Sequence, residues 1–541
     1  MEKYLKKYHY LFFFGLAIFL LYPTFRSGYI FLLDWTVTPQ VSWSDINFGV
    51  DSITAILSRI FSIFFSFELF QRFFLMAIIF FLGLGGFRLA KRTENVYAQY
   101  FSGLFFIFNP FIYARLVEQP GIAAGSAALF WFLIYLLEYL EDRKTRKIAI
   151  ASVCAGLAIS FFLHSAFFIA VALLIILTFD YFKRKDSKFL LKILLAILLA
   201  IFVINGNWII TSLFKLDEVR LNAIGSFTQE DVETFATRNI GGGSVYTTVL
   251  SLQGYWGEYQ DRFVSIQDNP FWQVFFGAIF FVCIFGLVKI WKKDYLGKGM
   301  VVIFSVAYVL AIGIAASAIK PVALFLYENV PFYIGLRESQ KWAVLMVFVY
   351  AFLGGWGVAS ILKLEKIKNY RREIGIFLAL LPVMFSFPAI YGMHSHLTPL
   401  HFPKEWKEAK DLLYRNSYSG KVLFFPWHAY MEISFVGKNV TVPARPFFGK
   451  NVIQGNNTEF GKIYSHSCDE QTLAIEKYVF PKDGIDYENF PEDMGNWKIG
   501  KVLLAKEEDW HNYSWLDRID IVRKVMENEK IIVYEILQVI R

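Results

Sequence analysis

The sequence has 541 residues, of which 56% are hydrophobic and 19% aromatic, and its formal net charge is +8. Soluble globular chains are roughly 45–50% apolar, so this composition excludes an ordinary soluble protein. The excess lies in apolar runs of about 17–22 residues between Tyr10 and Tyr391, a length that crosses a bilayer as a helix. No nucleic-acid partner is expected, because membrane topology accounts for the cations.

Eleven membrane spans are predicted in chain order. They lie at residues 9–25, 72–90, 97–113, 121–139, 147–163, 165–182, 190–210, 271–290, 299–318, 341–362 and 373–391. Tyr22, Pro23 and Thr24 follow the first run in place of a small-residue cleavage site, which favours a retained span over a signal peptide. The predicted fold is a polytopic α-helical membrane domain over residues 1–391 and an external α/β domain over residues 392–541.

Basic residues predict the orientation, because cations collect on the side of the membrane that does not translocate them. Alternate turns carry three to five cations each, and the connections between them are cation-poor. We therefore expect a multi-pass protein of the plasma membrane with a cytoplasmic N-terminus. An odd number of spans puts residues 392–541 outside. The basic turns are centred on Lys3–Lys7, Arg88–Arg92, Arg143–Lys147, Lys183–Lys188, Lys289–Lys298 and Lys363–Arg372.

The outer connections at residues 26–71, 211–270 and 320–341 are long enough to build a site. The inner turns are short and contain no GxxxxGK[ST] or GxGxxG phosphate loop, which disfavours ATP-driven transport. The spans themselves hold few ionisable residues, which a coupled transporter needs at mid-membrane. Polar and acidic groups gather at the outer ends instead, and this distribution favours binding or chemistry at the external surface.

The first outer connection contains Asp34 in the segment FLLDWTVTP. A carboxylate among apolar and aromatic residues is partly desolvated and can act as a general base. The alternative is a solvated Asp in an aromatic interfacial loop. Asp45 and Asp51 follow, and either could bind a divalent metal together with Asp34 or simply cap a helix.

A second polar cluster lies where the chain re-enters the membrane, in the segment LRESQKW. Arg337 and Lys341 are four residues apart and would share one face of a helix. Two such cations could hold a phosphate at headgroup depth, with the Arg in bidentate contact. The alternative is that both side chains extend to the interface and one forms a salt bridge with Glu338.

A third cluster, NPFIYARLVEQPG, ends one predicted span and begins the next. Arg115, Glu118 and Gln119 lie at its outer end, and the Asn-Pro pair predicts a helix break. On its own this segment is a turn.

The external domain is predicted to be a small α/β unit. Strands are expected at residues 421–427, 433–436, 440–443, 501–505 and 530–536, and a helix at 515–526. Its aromatic residues could stack on sugar rings, although core packing is the more frequent role; they are Trp406, Trp427, Tyr430 and Trp497.

Taken together, these motifs resemble the GT-C superfamily of integral-membrane glycosyltransferases. The resemblance is to uncharacterised bacterial and archaeal proteins related to arabinofuranosyltransferases. It is carried by NPFIYARLVEQPG, by LRESQKW, by LSLQGYW in the second long outer connection, and by KVLFFPWHAY in the external domain.

The resemblance implies a polyprenyl-phosphate-linked sugar as donor and an external glycan, lipid or protein as acceptor. Asp34 would deprotonate the acceptor hydroxyl, and Arg337, Lys341 and Arg115 would hold the donor phosphate. The other substrate-binding residues implied by the motifs are Glu118, Gln119 and Glu338.

Asp34 departs from the family pattern because no acid stands next to it. Metal dependence is therefore open, with Asp34 and Asp45 as the candidate ligands of a divalent cation. The competing hypothesis is a non-catalytic relative that keeps the fold and serves lipid or polysaccharide export or assembly.

Overall fold

The computed structural model describes residues 2–35, 52–214, 229–291, 295–414, 420–449, 451–456, 470–480 and 487–537. Asp45 and Asp51, which the sequence suggested as possible metal ligands or caps, lie outside the described residues.

The described part of the first 394 residues is almost entirely helical. Their helices, in chain order, are α1 (Glu2–Lys7), α2 (His9–Leu21), α3 (Ser52–Phe61), α4 (Phe67–Leu89), α5 (Val96–Ile107), α6 (Pro110–Glu118), α7 (Pro120–Asp142), α8 (Thr145–Phe161), α9 (Ser165–Arg184), α10 (Ser187–Leu213), α11 (Gln229–Thr234), α12 (Val245–Leu250), α13 (Trp256–Tyr259), α14 (Trp272–Trp291), α15 (Tyr295–Ile312), α16 (Lys320–Asn329), α17 (Ala343–Ile361), α18 (Arg371–Phe385) and α19 (Ile390–His394).

Within the described residues, seven helices are long and apolar enough to cross a membrane, or up to nine if each of two bent pairs counts as one span. The predicted count of eleven is therefore not confirmed. Helix breaks and short lengths explain the difference. The α5–α6 pair bends by 41° at Asn109-Pro110, the first apolar helix covers only His9–Phe25, and α8 has 17 residues.

The C-terminal domain, which is predicted to be external and is called the external domain below, is built on a five-stranded mixed sheet. Its spatial order is β4-β1-β5-β7-β6, in which β1 runs parallel to β4 and β5, and β7 is antiparallel to β5 and β6. A separate hairpin joins β2 to β3. The strands are β1 (Lys421–Phe425), β2 (Tyr430–Ile433), β3 (Lys438–Thr441), β4 (Val452–Ile453), β5 (Ile499–Ala505), β6 (Val522–Glu527) and β7 (Ile531–Ile536).

Helices cover this sheet. They are α20 (Lys404–Tyr414), α21 (Ala444–Phe448), α22 (Glu470–Val479) and α23 (Phe490–Asn496). The helix predicted at residues 515–526 is wrong. A 3-10 segment, Trp510–Arg518, occupies its first part, and β6 pairs with β7 in the second part because Val522 and the residues after it complete the sheet edge. The strand predicted at 433–436 lies earlier, as β2.

The first outer connection packs into the external domain. Tyr29 forms an antiparallel bridge with Leu400, and Phe31 joins the hydrophobic core of the domain beside Phe402. The amide of Thr441, at the end of β3, donates to the carbonyl of Leu33 at 2.9 Å. Residues 29–33 thus belong to the packing of both parts of the chain.

Helices α14 and α17 cross at close range through two glycines. A Cβ atom on Gly286 would lie 1.9 Å from the carbonyl oxygen of Leu353, and one on Gly357 would lie 1.9 Å from that of Val282. Small residues at such crossings let two backbones approach within a membrane.

We expect Gly286→Ala to lower the stability of the protein by about 1–3 kcal/mol, because the added methyl group forces α14 away from α17. Thermal unfolding in detergent measures the change. Gly277→Ala is the matched control, since a Cβ at Gly277 of the same helix meets nothing within 4 Å. Equal melting temperatures for the two variants would contradict the expectation.

The basic turns meet one another at one end of the helices. Arg88 and Lys147 both pair with Glu138, at 2.8 and 3.0 Å, and Arg143 pairs with Asp186 at 3.3 Å. Three of the six turns predicted to be cytoplasmic therefore form one surface.

Impermeant labelling tests the predicted orientation. In a Cys468→Ser background, we expect a cysteine at exposed Asp520 to react with a membrane-impermeant maleimide in intact cells. A cysteine at exposed Lys368 should react only after the cells are lysed. The reverse pattern would overturn the orientation, and labelling of both positions in lysed cells controls for reactivity.

Candidate active site

A tight turn presents Asp34 between the membrane helices and the external domain. The amide of Leu32 donates to the carbonyl of Trp35 at 3.3 Å, which closes the turn, and the amide of Asp34 donates to the carbonyl of Glu118 at 3.1 Å. The carboxylate then accepts two side-chain hydrogen bonds. The amide of Gln119 donates to Oδ2, and the Tyr430 hydroxyl donates to Oδ1 at 2.9 Å.

Asp34 lies in a recess that water can reach. The residue is exposed to solvent, yet protein surrounds it closely enough that desolvation raises the pKa of its carboxyl group. Hydrogen bonds from Gln119 and Tyr430 and the charge of Lys341 oppose that rise, whereas Glu338 adds to it. The result is a carboxylate of increased basicity.

The break between α5 and α6 creates one wall of the recess. Asn109 caps α6 with its side-chain oxygen, which accepts from the amide of Ile112 at 3.0 Å, and Pro110 fills the first helical position. The side-chain amide of Asn109 donates to the carbonyl of Phe105 at 2.8 Å, so the broken end of α5 is satisfied as well. This local chemistry explains how an Asn-Pro pair is tolerated within a buried helix pair.

Arg115 lies completely buried behind Asp34. Its guanidinium group donates to Gln119, to Glu338 at 3.2 Å and to Gln340 at 2.7 Å, and it stacks on the ring of Tyr255 at 4.1 Å. Gln119 therefore bridges Arg115 and Asp34, because it accepts from the guanidinium group and donates to the carboxylate.

The re-entry segment does not form the single helix that the spacing of Arg337 and Lys341 predicted. Two 3-10 turns, Tyr333–Leu336 and Ser339–Trp342, replace it, with Glu338 between them in a non-helical conformation. The prediction of a shared helix face is therefore wrong. Glu338 instead turns inward and lies between two cations. A buried carboxylate is costly without opposite charges beside it, and these cations supply them.

Glu338 holds both cations on one carboxylate. Its Oε2 accepts from Arg115, and its Oε1 lies 3.2 Å from the ammonium of Lys341. Burial favours the neutral acid, but the charges of Lys341 and Arg115 outweigh burial and lower the pKa of Glu338 to about 2. Arg337 packs its guanidinium over the ring of Phe235 at 5.0 Å.

The side chain of Glu118 points away from this group, toward the external domain. It pairs with Arg262 at 2.8 Å and with His396 at 3.3 Å. Its backbone carbonyl nevertheless holds the amide of Asp34.

The structure thus brings five of the predicted site residues into one connected group: Asp34, Gln119, Arg115, Glu338 and Lys341. Glu118 joins it through its backbone. Arg337 lies beside the group, against Phe235.

Several further residues at the site were not selected from the sequence. Gln340 lies within LRESQKW and Tyr255 within LSLQGYW, so the motif strings contained a signal for both. Tyr430 was considered as a sugar-stacking aromatic and instead binds Asp34. Nothing in the sequence pattern marked Arg262.

Metal binding by Asp34 and Asp45 stays a prediction. Among the described residues, no group of three His, Cys, Asp or Glu residues is placed to hold a metal ion. Both oxygens of Asp34 accept hydrogen bonds from protein donors. The predicted second ligand, Asp45, lies outside the described residues, so the described part of the chain does not assemble a divalent-cation site.

A separate cavity of about 280 Å³ lies between α4, α7 and α8 and is lined by Arg88, Arg92, Glu138, Glu141 and Lys147, among others. Helix α7 begins next to Gln119, and Glu138 follows it by 19 residues. At 1.5 Å per residue this cavity is roughly 28 Å from the Asp34 recess. Its acids and cations pair with each other, so it does not belong to the same site.

The architecture is similar to that of a solved membrane glycosyltransferase. The arabinofuranosyltransferase AftD from Mycobacteria superposes with a TM-score of 0.63 at 12% sequence identity, over 99% of this chain and 40% of AftD. Weaker likenesses, each with a TM-score of 0.41, are to two other enzymes. For the Archaeoglobus fulgidus oligosaccharyltransferase the identity is 12%, over 90% of this chain and 63% of that one. For ArnT from Cupriavidus metallidurans, bound to undecaprenyl phosphate, it is 11%, over 97% and 96%.

No protein-family model matches the sequence, and no curated protein matches it. The structural likeness shows the fold alone: the chain has a GT-C-like membrane fold, as its motifs predicted. It spans about two fifths of the length of AftD.

Removing the Tyr430 hydroxyl tests the geometry around Asp34. That hydroxyl donates to the carboxylate and stabilises its charged form, so we expect Tyr430→Phe to raise the pKa of Asp34 further. Infrared titration of protein labelled with ¹³C-aspartate, after subtraction of the Asp34→Asn spectrum, follows the carboxyl group.

Tyr534→Phe is the matched control, because Tyr534 donates to Asp517 at 3.1 Å elsewhere in the external domain. The midpoint for Asp34 should move to higher pH in Tyr430→Phe and stay unchanged in the control. A midpoint that is unchanged or lower in Tyr430→Phe would show that the two groups are not hydrogen-bonded.

Proposed function

We propose that this chain is a membrane glycosyltransferase. It transfers a sugar from a polyprenyl-phosphate-linked donor to a hydroxyl group of an external glycan, lipid or protein, with Asp34 as the general base. The observation that carries the proposal is the position of Asp34, a carboxylate in a water-accessible recess next to a buried group of cations.

A general base must be ionised and must still accept a proton readily. Burial raises the basicity of Asp34, and the hydrogen bonds from Gln119 and Tyr430 fix its orientation. Each carboxylate oxygen has two acceptor positions, so both oxygens keep one for an incoming hydroxyl group.

The reaction balances without a further reactant. The acceptor hydroxyl gives its proton to Asp34 while its oxygen attacks the anomeric carbon of the donor sugar. The bond between that carbon and the phosphate oxygen breaks, and the polyprenyl phosphate leaves with the bonding electrons. The base and the leaving group lie on opposite sides of the sugar in such a displacement, which inverts the anomeric centre.

Cations stabilise the negative charge that develops on the leaving phosphate. Arg115 and Lys341 share the single carboxylate of Glu338, so this trio carries a net charge of +1. The charge of Lys341 also opposes the rise in the pKa of Asp34, so it acts on the base as well. We assign Lys341 to the donor phosphate, with Arg337 beside it, whereas Arg115, which is completely buried, acts on the phosphate through its charge.

The fold supports the same chemistry, because it is shared with an arabinofuranosyltransferase. The likeness covers two fifths of that protein and does not determine the sugar or the acceptor. The identity of both is therefore part of the proposal.

Replacing the carboxylate with an amide tests the proposal. We expect Asp34→Asn to lower sugar transfer by about 10²–10⁴-fold, the range of a lost general base, with normal expression. The assay compares surface glycans by mass spectrometry in a deletion strain complemented with either the native chain or the variant.

Asp520→Asn is the matched control, since it removes an exposed carboxylate from a turn of the external domain. We expect this variant to restore the glycan missing from the deletion strain. If Asp34→Asn also restores it, the chain acts without catalysis, as an export or assembly factor would.

A further inference from the structure

The Glu118 carboxylate lies where three separate parts of the chain meet. It is fully buried at the end of α6, and Arg262 of the second outer connection donates to its Oε2 at 2.8 Å. His396, which follows the last membrane helix, contacts Oε1 at 3.3 Å. The same Arg262 donates to the carbonyl of Asn439 in β3 at 2.8 Å, and so links the carboxylate to the external domain.

A fourth group completes this interface. The ammonium of Lys438 lies 3.3 Å from Nε2 of His396 and 3.4 Å from its carbonyl oxygen. Burial lowers the pKa of Lys438 to about 8, while the charge of Glu118 opposes this change. We assign the Nε2 proton of His396 to the hydrogen bond with Glu118, since Lys438 can donate to the carbonyl oxygen instead.

Both oxygens of Glu118 therefore accept from protein donors. The sequence placed Glu118 among the substrate-binding residues, but its carboxylate is completely enclosed and faces the external domain. Because this side chain is completely buried, neither a sugar nor a phosphate can reach it.

The backbone at the same point holds the base. The carbonyl of Glu118 accepts from the amide of Asp34, and the next side chain, Gln119, donates to the Asp34 carboxylate. On the opposite side, the external domain supplies Tyr430 to that carboxylate and Thr441 to the carbonyl of Leu33. Any movement between α6 and β2–β3 would separate these contacts.

We propose that Glu118 is a positioning residue. Its ion pair with Arg262, which in turn donates to the carbonyl of Asn439, holds the external domain against α6 and thereby fixes Asp34 between them. The inference rests on the proposed function for its catalytic consequence, but the position of Asp34 can be measured without it. Displacing a reacting group by about 1 Å can cost 10²-fold in rate, so a looser contact between the external domain and α6 would be visible in activity.

Hydrogen–deuterium exchange of the full chain in detergent measures directly how tightly the external domain is held against α6. In Glu118→Gln, which keeps the shape of the side chain and removes its charge, we expect exchange in peptides covering residues 29–35 and 430–441 to be at least about tenfold faster. Glycan restoration in the deletion strain should fall by about 10- to 100-fold.

Glu258→Gln is the matched control. Glu258 is also a buried glutamate of the outer connections, and Gln253 and Ser265 donate to it at 2.7 and 2.8 Å. It contacts neither Asp34 nor the external domain in any hydrogen bond that the structure describes. Its substitution should leave exchange at residues 29–35 unchanged and glycan restoration intact.

A conservative pair at the partner residue separates positioning from a general loss of folding. Arg262→Gln should reproduce the effect of Glu118→Gln, and Arg262→Lys should recover most of the activity because it restores the charge opposite Glu118. The double variant Glu118→Gln/Arg262→Gln should be no worse than either single variant, since both remove one interaction.

Native exchange and activity in Glu118→Gln would overturn the inference. So would equal damage from Glu118→Gln and Glu258→Gln, or a failure of Arg262→Lys to recover activity. If Glu118→Gln does not fold, the comparison of Arg262→Lys with Arg262→Gln decides the matter. Full activity of Asp34→Asn would refute the proposed catalytic role alone, because the exchange results on residues 29–35 would still report whether Glu118 fixes Asp34.

Discussion

Two opposite charges buried on one short helix organise the outer end of this protein. Arg115 and Glu118 stand three residues apart on the nine-residue α6, and both are fully buried. An isolated buried charge is very costly, so each needs its own partners. Arg115 pairs with Glu338 of the re-entry segment, and Glu118 pairs with Arg262 of the second outer connection. The need to compensate these two buried charges thus brings the late membrane segment, the second outer connection and the external domain together around Asp34.

Much of the fold could be predicted because it follows from local chemistry. Apolar runs gave the membrane helices, and Asn109-Pro110 marked a break that the structure places between α5 and α6. The conformation of the re-entry segment could not be predicted from the spacing of its cations, because the charge of Glu338 turns that residue inward. Tyr430 lies 396 residues from Asp34, and a hydrogen bond across that distance leaves no periodic pattern in the sequence.

The two ends of the membrane helices have different electrostatic character. At the end predicted to be cytoplasmic, cations and acids pair with each other near the surface, as between Arg88 and Glu138. Such pairs contribute little to binding a substrate, since their charges are already compensated. At the Asp34 end the cations are buried and share one acid, Glu338. The charges of Arg115 and Lys341 there lie in a low-dielectric setting, where charges interact more strongly than in water.

The hydrogen bond between Asp34 and Tyr430 cannot form until both residues have been synthesised. Asp34 is made early, and at about 5–20 residues per second the ribosome needs roughly 20–80 s to reach Tyr430. During that interval the domain core into which Phe31 packs has not yet been made. In a nascent chain the Asp34 carboxylate is therefore held by Gln119 alone until the external domain supplies Tyr430.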